Sequence, residues 1–343
     1  MAVRARAVAG VGAGGGRGRL SVALVTGARG FAGAWLARAL LERGDRVVSL
    51  DKGRPERPAS TLSLHGIEAD VIDVVGDLCD GDLVRSVLSE NRVTDVYHLA
   101  AEPIVGAFAA SPLRGFETNV RGTWTLLDAC LAEGAERVVV ASSDKAYGAH
   151  QTLPYREDFA LNASAPYEAS KAAADVIARS YWHSYGLPVA VTRFANIYGG
   201  GDLNFSRLVP EAVCAALDGR PPVLRSDGSP ERDFLYVEDA AAAYLAIADE
   251  LDRDEVRGEA FNAGDGRPYR VGEVVETIAR LSGTGVEPEI RGEGNPAGEI
   301  DRQFVDPSKL RTRCGWEPSV TLEAGLERTI DWYREHPGVR PAG

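Results

Sequence analysis

From Leu20 the chain alternates between short continuous apolar runs and longer segments whose apolar residues recur at helical spacing. LSVALVTG reads as a strand buried on both faces, FAGAWLARALLERG as an amphipathic helix stopped at Gly44, and RVVSLD as a second buried strand. Further strand runs fall at Val71–Val75, Val93–Leu99, Arg137–Ser143 and Val189–Phe194, with helical stretches over Asp80–Glu90, Phe116–Glu133 and Tyr167–Tyr185. Apolar strands separated by helices predict a parallel sheet covered on both faces, the Rossmann-like, doubly wound α/β class. After about residue 196 the rhythm is broken by Gly199-Gly200-Gly201, Pro221-Pro222 and the loop 291–298. The expected organisation is a Rossmann domain over 20–195 and a smaller C-terminal α/β lobe over 196–337, with the run 259–262 returning as a strand of the main sheet.

Composition narrows the picture. The 343 residues are 45% hydrophobic and 26% charged, ordinary values for a chain with a sizeable core. A formal net charge of −12 disfavours a nucleic-acid partner. No window approaches the roughly 18 apolar residues of a membrane span, so no membrane association is expected. Cys79, Cys130, Cys214 and Cys314 are scattered without a zinc-ligand spacing; they read as reduced thiols of a cytoplasmic protein, and no metal is expected. Residues 1–19 hold four arginines, six glycines and no acid, and are expected to be a disordered tail.

The chemistry-bearing residues gather where strands end. Gly27-Ala28-Arg29-Gly30-Phe31-Ala32-Gly33 joins the first strand to the first helix, where small residues let backbone N–H groups approach a pyrophosphate. Asp51 closes the second strand 24 residues after Gly27, placed to accept hydrogen bonds from an adenosine ribose. A carboxylate there repels a 2′-phosphate, which favours NAD over NADP, while Lys52 and Arg29 soften that preference. Asp77 and Leu78 follow the third strand toward an adenine. His98-Leu99-Ala100-Ala101 ends the fourth strand at the ligand-collecting edge, with His98 open to either a packing or a ligand role.

Tyr167-Glu-Ala-Ser-Lys171 opens a helix, and the i, i+4 spacing stacks phenol and ammonium on one face. A nearby cation is expected to lower the phenol pKa from about 10, making Tyr167 a general base toward a sugar hydroxyl. Ala141-Ser-Ser143-Asp144-Lys145-Ala-Tyr-Gly148 brings hydroxyls, a carboxylate and an amine to the same edge.

Together the TGxxGFxG loop, HLAA, the serine after the fifth strand and YxxxK resemble the extended short-chain dehydrogenase/reductases of the NAD-dependent sugar epimerase/dehydratase family, over roughly residues 20 to 337. The resemblance implies bound NAD, a catalytic set of Ser143, Tyr167 and Lys171, and nucleoside-diphosphate sugars as substrates. Tyr167 and Lys171 would also contact the cofactor. Ser143-Asp144-Lys145, HLAAEPIV with TNVRGTWTLLDA, and Asn196-Ile-Tyr-Gly-Gly-Gly-Asp202 are most similar to CDP-glucose 4,6-dehydratases, in which the triplet serves elimination. Glu102 stands where that group usually has glutamine, and Arg232-Asp-Phe-Leu-Tyr-Val-Glu-Asp239 is closer to general epimerases and dTDP-glucose dehydratases, so the base (CDP, dTDP, UDP or GDP) stays open. The resemblance places Glu102, Ser143, Asn196 and Arg232 at the substrate, with Arg302 as a second phosphate contact. It also implies a homodimer through Phe116–Glu133 and Tyr167–Tyr185, whose apolar residues include Trp124, Leu126, Leu127, Val176, Ile177 and Trp182. The expected activity is a 4,6-dehydratase; a 4-epimerase shares Ser, Tyr and Lys, and a non-catalytic sugar-nucleotide binder is the third alternative.

Overall fold

The computed structural model describes residues 21–53, 60–103, 108, 111–294 and 300–341. The expected tail 1–19 and residues 295–298 of the loop lie outside the described residues.

Strands β1 (Val22–Thr26), β2 (Arg46–Asp51), β3 (Val71–Val75), β4 (Asp95–His98), β5 (Arg137–Ala141) and β6 (Val189–Phe194) form one parallel sheet. The chain then leaves it through β7 (Asn196–Tyr198), β8 (Val223–Leu224), β9 (Glu231–Arg232) and β10 (Phe234–Tyr236) before β11 (Ala260–Ala263) returns to pair with β6. The order is β3-β2-β1-β4-β5-β6-β11, which reverses direction between β1 and β4 and leaves a crevice there.

Alternate side chains enter different cores. Val25, Tyr97, Val139 and Phe261 pack beneath helices α1 (Phe31–Arg43) and, later in the chain, Val237–Asp249. Leu24, Val48, Val96 and Val138 pack on the opposite side against Gly81–Asn91, Gly122–Glu133 and Pro166–Tyr185. Because both faces are covered, no polar alternation survives in these strands. Numbered in order, the helices after α1 are α2 (Thr61–Leu64), α3 (Gly81–Asn91), α4 (Pro112–Phe116), α5 (Gly122–Glu133) and α6 (Pro166–Tyr185). A π-helical stretch, Glu117–Arg121, joins α4 to α5, so the expected helix at Phe116 begins four residues earlier, at Pro112.

Of the remaining helices, α8 (Val237–Asp249) and α10 (Ser308–Cys314) pack on the main-sheet core, while α7 (Leu208–Leu217), α9 (Val271–Ser282) and α11 (Leu322–Glu335) share a second core in the smaller lobe, which also carries β12 (Tyr269–Arg270), β13 (Glu289–Ile290) and β14 (Arg302–Gln303). Its core joins Tyr198, Val213, Tyr236, Ile278, Ile330 and Tyr333. Among the described residues no helix is long and apolar enough to cross a membrane, and no group of three or more His, Cys, Asp or Glu side chains is placed to hold a metal. All four cysteines are free, Cys130 and Cys214 buried, Cys79 and Cys314 half-buried.

Candidate active site

The turn from β1 into α1 is thin because glycine is sterically required there. Gly27 has φ +77°, and a Cβ on it would lie 2.8 Å from the Ala100 nitrogen. A Cβ on Gly33 would lie 2.3 Å from the Gly27 carbonyl oxygen. Gly30 caps α1 without a side-chain bond, and the first turn carries no acid, so this helix N-terminus suits a diphosphate. Asp51 ends β2 beside Val75 of β3. The two cations that would welcome a 2′-phosphate are already engaged by carboxylates. Arg29 pairs with Asp73 and, at 3.5 Å, with Glu68; Lys52 lies 3.3 Å from Asp77. Thus the cradle, the helix end and the acid fit NAD.

Other residues expected at the cofactor divide. Leu99 and Ala100 follow β4, their N–H groups held by the Thr26 carbonyl (3.1 Å) and hydroxyl (3.2 Å), and Ala101 continues that edge, half-buried. Leu78, by contrast, is a core side chain, 4% exposed and packed under Gly122. Phe31 packs on the core of the smaller lobe, close to Gly199. His98 is a packing residue: its ring nitrogens bond Thr26 (2.8 Å) and Thr123 (2.9 Å), and burial pushes its pKa down to about 3, with Lys171 adding to the shift.

The reactive groups lie where β5 ends against α6. The Lys171 ammonium donates to the Ala141 carbonyl (2.9 Å), and the Ser142 hydroxyl donates to the Lys171 carbonyl (3.0 Å), which fixes helix to strand. Burial lowers the Lys171 pKa to about 8. Ser143 caps the 3₁₀ turn Asp144–Tyr147; its hydroxyl accepts from the Lys145 N–H (3.2 Å) and donates to Asp144 (3.1 Å). Asp144 is 1% exposed, and its Oδ2 makes no hydrogen bond among the described residues. Burial raises its pKa, against the pull of Lys145, Ser143 and Arg232. A buried carboxyl so placed favours the protonated form.

Tyr167 departs from expectation. Burial pushes its phenol above the usual 10; nearby Arg207 and Ser143 draw it back, and Asp144 opposes them. The Lys171 ammonium, one turn along the helix, bonds the Ala141 carbonyl. The ring itself is held edge-on by Phe108, with centroids 5.8 Å apart.

Two supports escaped the sequence. Asn119, in the π-helical stretch, accepts from the Glu102 N–H (2.7 Å) and donates to Ser170 (3.0 Å), tying the edge of β4 to the Tyr-Lys helix. Arg193 of β6 forms a buried two-pronged pair with Asp175 of α6 (2.7 and 3.0 Å), both 1% exposed or less. Asp175 lies one turn beyond Lys171, so this pair fixes the rotation of the helix. Only the i, i+4 repeat of Lys171 and Asp175 hinted at it.

At the substrate end Asn196 donates to the Asp233 carbonyl (3.0 Å). The Asp233 carboxylate accepts backbone N–H groups from Asp265 (2.9 Å), Gly266 and Val305 (3.3 Å each), although burial still raises its pKa to about 8. Arg232 lies near enough to draw down the pKa of Asp144. Arg302, expected as a second phosphate contact, stands opposite Glu231 in the pairing of β14 with β9, on the other face of the strand pair from Arg232. There it is ion-paired with Glu231, stacks on Phe304 and lines a cleft of about 720 Å³ with His150 and Leu153.

A glycine-cradled dinucleotide site facing a Ser–Tyr–Lys constellation defines an NAD-dependent enzyme of the Rossmann class. Residues 23–264 match the NAD dependent epimerase/dehydratase family, and the chain belongs to it. It is 36% identical over 329 residues to the dTDP-glucose 4,6-dehydratase of Xanthomonas campestris pv. campestris, covering 90% of this chain and 92% of that one. It is 31% identical over 333 residues to the UDP-glucose 4-epimerase of Halalkalibacterium halodurans, covering 92% and 96%. The crystal structure of DesIV, a dTDP-glucose 4,6-dehydratase from Streptomyces venezuelae solved with NAD bound, superposes with a TM-score of 0.82 at 31% identity, covering 92% and 98%. NAD is the cofactor of this chain.

Proposed function

We propose that the protein is a nucleoside-diphosphate-hexose 4,6-dehydratase giving a 4-keto-6-deoxy sugar nucleotide. The observation that carries this reading is Asp144. A 4-epimerase needs the serine, tyrosine and lysine but no acid for a leaving hydroxyl, whereas Asp144 offers a buried carboxyl beside Ser143 with one oxygen that has no hydrogen-bond partner among the described residues. Both kinds of enzyme occur among the relatives, and Asp144 is what favours dehydration here.

The glycine loop, Asp51 and Lys171 would hold NAD, which when bound would supply reversible hydride chemistry. Ser143 hydrogen-bonds the C4 hydroxyl while Tyr167 removes its proton. Lys171 would hold the nicotinamide ribose. The 4-ketone acidifies C5–H; Lys145 takes that proton and Asp144 gives one to the departing C6 hydroxyl, so water leaves. Asn196 and Arg232 bind the diphosphate. Mass spectrometry of the product tests the reading: a species lighter by one water supports it, and an isobaric sugar nucleotide refutes it in favour of epimerisation.

We propose further that the enzyme is a homodimer through α5 and α6. Leu126 and Leu127 are core residues, and Trp182 packs on Gly258 and Arg257, so these three are intramolecular. Trp124 and Val176 remain 46% and 60% exposed, an apolar patch that a second copy would cover. Light scattering at micromolar concentration should give twice the chain mass; a monomer would refute the pairing.

A further inference from the structure

Strand β9 lies between β12 and β14, and its pairings sort six side chains onto two faces. Arg232 stands opposite Tyr269 on one side and Gln303 on the other, while Glu231 stands opposite Arg270 and Arg302. Residues directly opposite share a face, so Tyr269, Arg232 and Gln303 form one row. Two of its members have partners. The Tyr269 hydroxyl bonds Asp265, and the Arg232 guanidinium donates to the carbonyls of Glu231 (2.9 Å) and Asp301 (3.3 Å). Gln303 differs: it is 1% exposed, and its Nε2 makes no hydrogen bond among the described residues.

A buried amide donor without an acceptor is rare, and where it persists it calls for a partner supplied from outside the chain. The neighbour on its row selects that partner. Two N–H donors beside a guanidinium suit oxygen atoms bearing negative charge. The row belongs to the catalytic side of the lobe, since Arg232 acts on Asp144 and the Gln303 carbonyl accepts the N–H of Asp233 (3.1 Å), whose carboxyl also feels Asp144.

We propose that Gln303 is a substrate-binding residue whose amide donates to the diphosphate of the sugar nucleotide beside Arg232, an inference that rests on the sugar-nucleotide reading above. It takes the place that Arg302, turned to the other face, does not fill. A neutral donor adds hydrogen bonds without a second positive charge.

Calorimetric titration of NAD-loaded protein with dTDP, UDP, CDP and GDP identifies the diphosphate that binds best. Gln303→Leu should weaken that binding about tenfold or more, and the near-isosteric Gln303→Glu should weaken it further by placing a carboxylate against phosphate. KM for the sugar nucleotide should rise by the same factors, with kcat and NAD content within about twofold of wild type. Should Gln303→Leu fail to fold, Gln303→Glu decides alone. A Kd within about twofold of wild type, with only the melting temperature lowered, would overturn the assignment and leave Gln303 a structural residue. No binding of any diphosphate to the wild type would overturn the sugar-nucleotide reading, and this inference with it.

Discussion

Lys171 is kept charged in a place that disfavours charge, so Lys171→Met should stabilise the NAD-free fold while removing activity. The ammonium is 7% exposed, and burial lowers its pKa from 10.5 to about 8. That gap corresponds to about 3 kcal/mol at about 1.36 kcal/mol per pH unit. The folded-state pKa lies below the unfolded one, so the unfolded chain binds more protons between them, and stability from this group rises with pH. Below pH 8 the full penalty is present; it fades as pH rises and is gone above 10.5. Methionine also forfeits the hydrogen bond to the Ala141 carbonyl, a loss of about 1 kcal/mol. The net expectation is a gain of about 2 kcal/mol at pH 7 for the NAD-free protein, vanishing or reversing near pH 10.5. Urea unfolding at both pH values reads it directly. A less stable Lys171→Met protein at pH 7, or a gain equal at both pH values, would refute the electrostatic account of this residue.

Tyr167→Phe should lower turnover by about a hundred- to ten-thousand-fold while NAD is retained; wild-type rates would remove Tyr167 as the base. In NAD-free protein, the difference titration between wild type and Tyr167→Phe should show the phenolate appearing only above pH 10. Asp144→Asn should lose dehydration by a similar factor, since the amide cannot protonate a leaving hydroxyl. Either Arg193→Met or Asp175→Asn should cost about 3–5 kcal/mol by denaturant unfolding, and the double substitution should cost less than the sum, because each single change strands a buried charge. Gly33→Ala places a methyl 2.3 Å from the Gly27 carbonyl, so the purified protein should carry little NAD.

Apart from the edge strand β3, the main sheet was legible because its strands are buried on both faces and so carry continuous apolar runs, Val138-Val139-Val140 among them. Gly27, Gly33 and Asp51 were legible because the glycines are required by close approach and the acid by its place at a strand end. The register of two-residue strands left no periodic trace, which is why neither the face that Arg302 takes nor the place of Gln303 could be read from the sequence. The raised phenol of Tyr167 was equally hidden: spacing brings Lys171 to the same helix face, but the burial that raises the phenol comes from residues distant in sequence. Asn119 and the Arg193–Asp175 pair connect residues far apart in sequence, and a polar side chain within an apolar helix does not announce its partner.

The most direct test follows a deuterium atom placed at C4 of the hexose in the accepted nucleoside diphosphate sugar. Hydride removed with the help of Tyr167 and returned after Asp144 has released the C6 hydroxyl carries the label to C6, in a product that has lost water. Label found still at C4, with the stereochemistry there inverted and no water lost, would contradict the elimination and make the enzyme an epimerase.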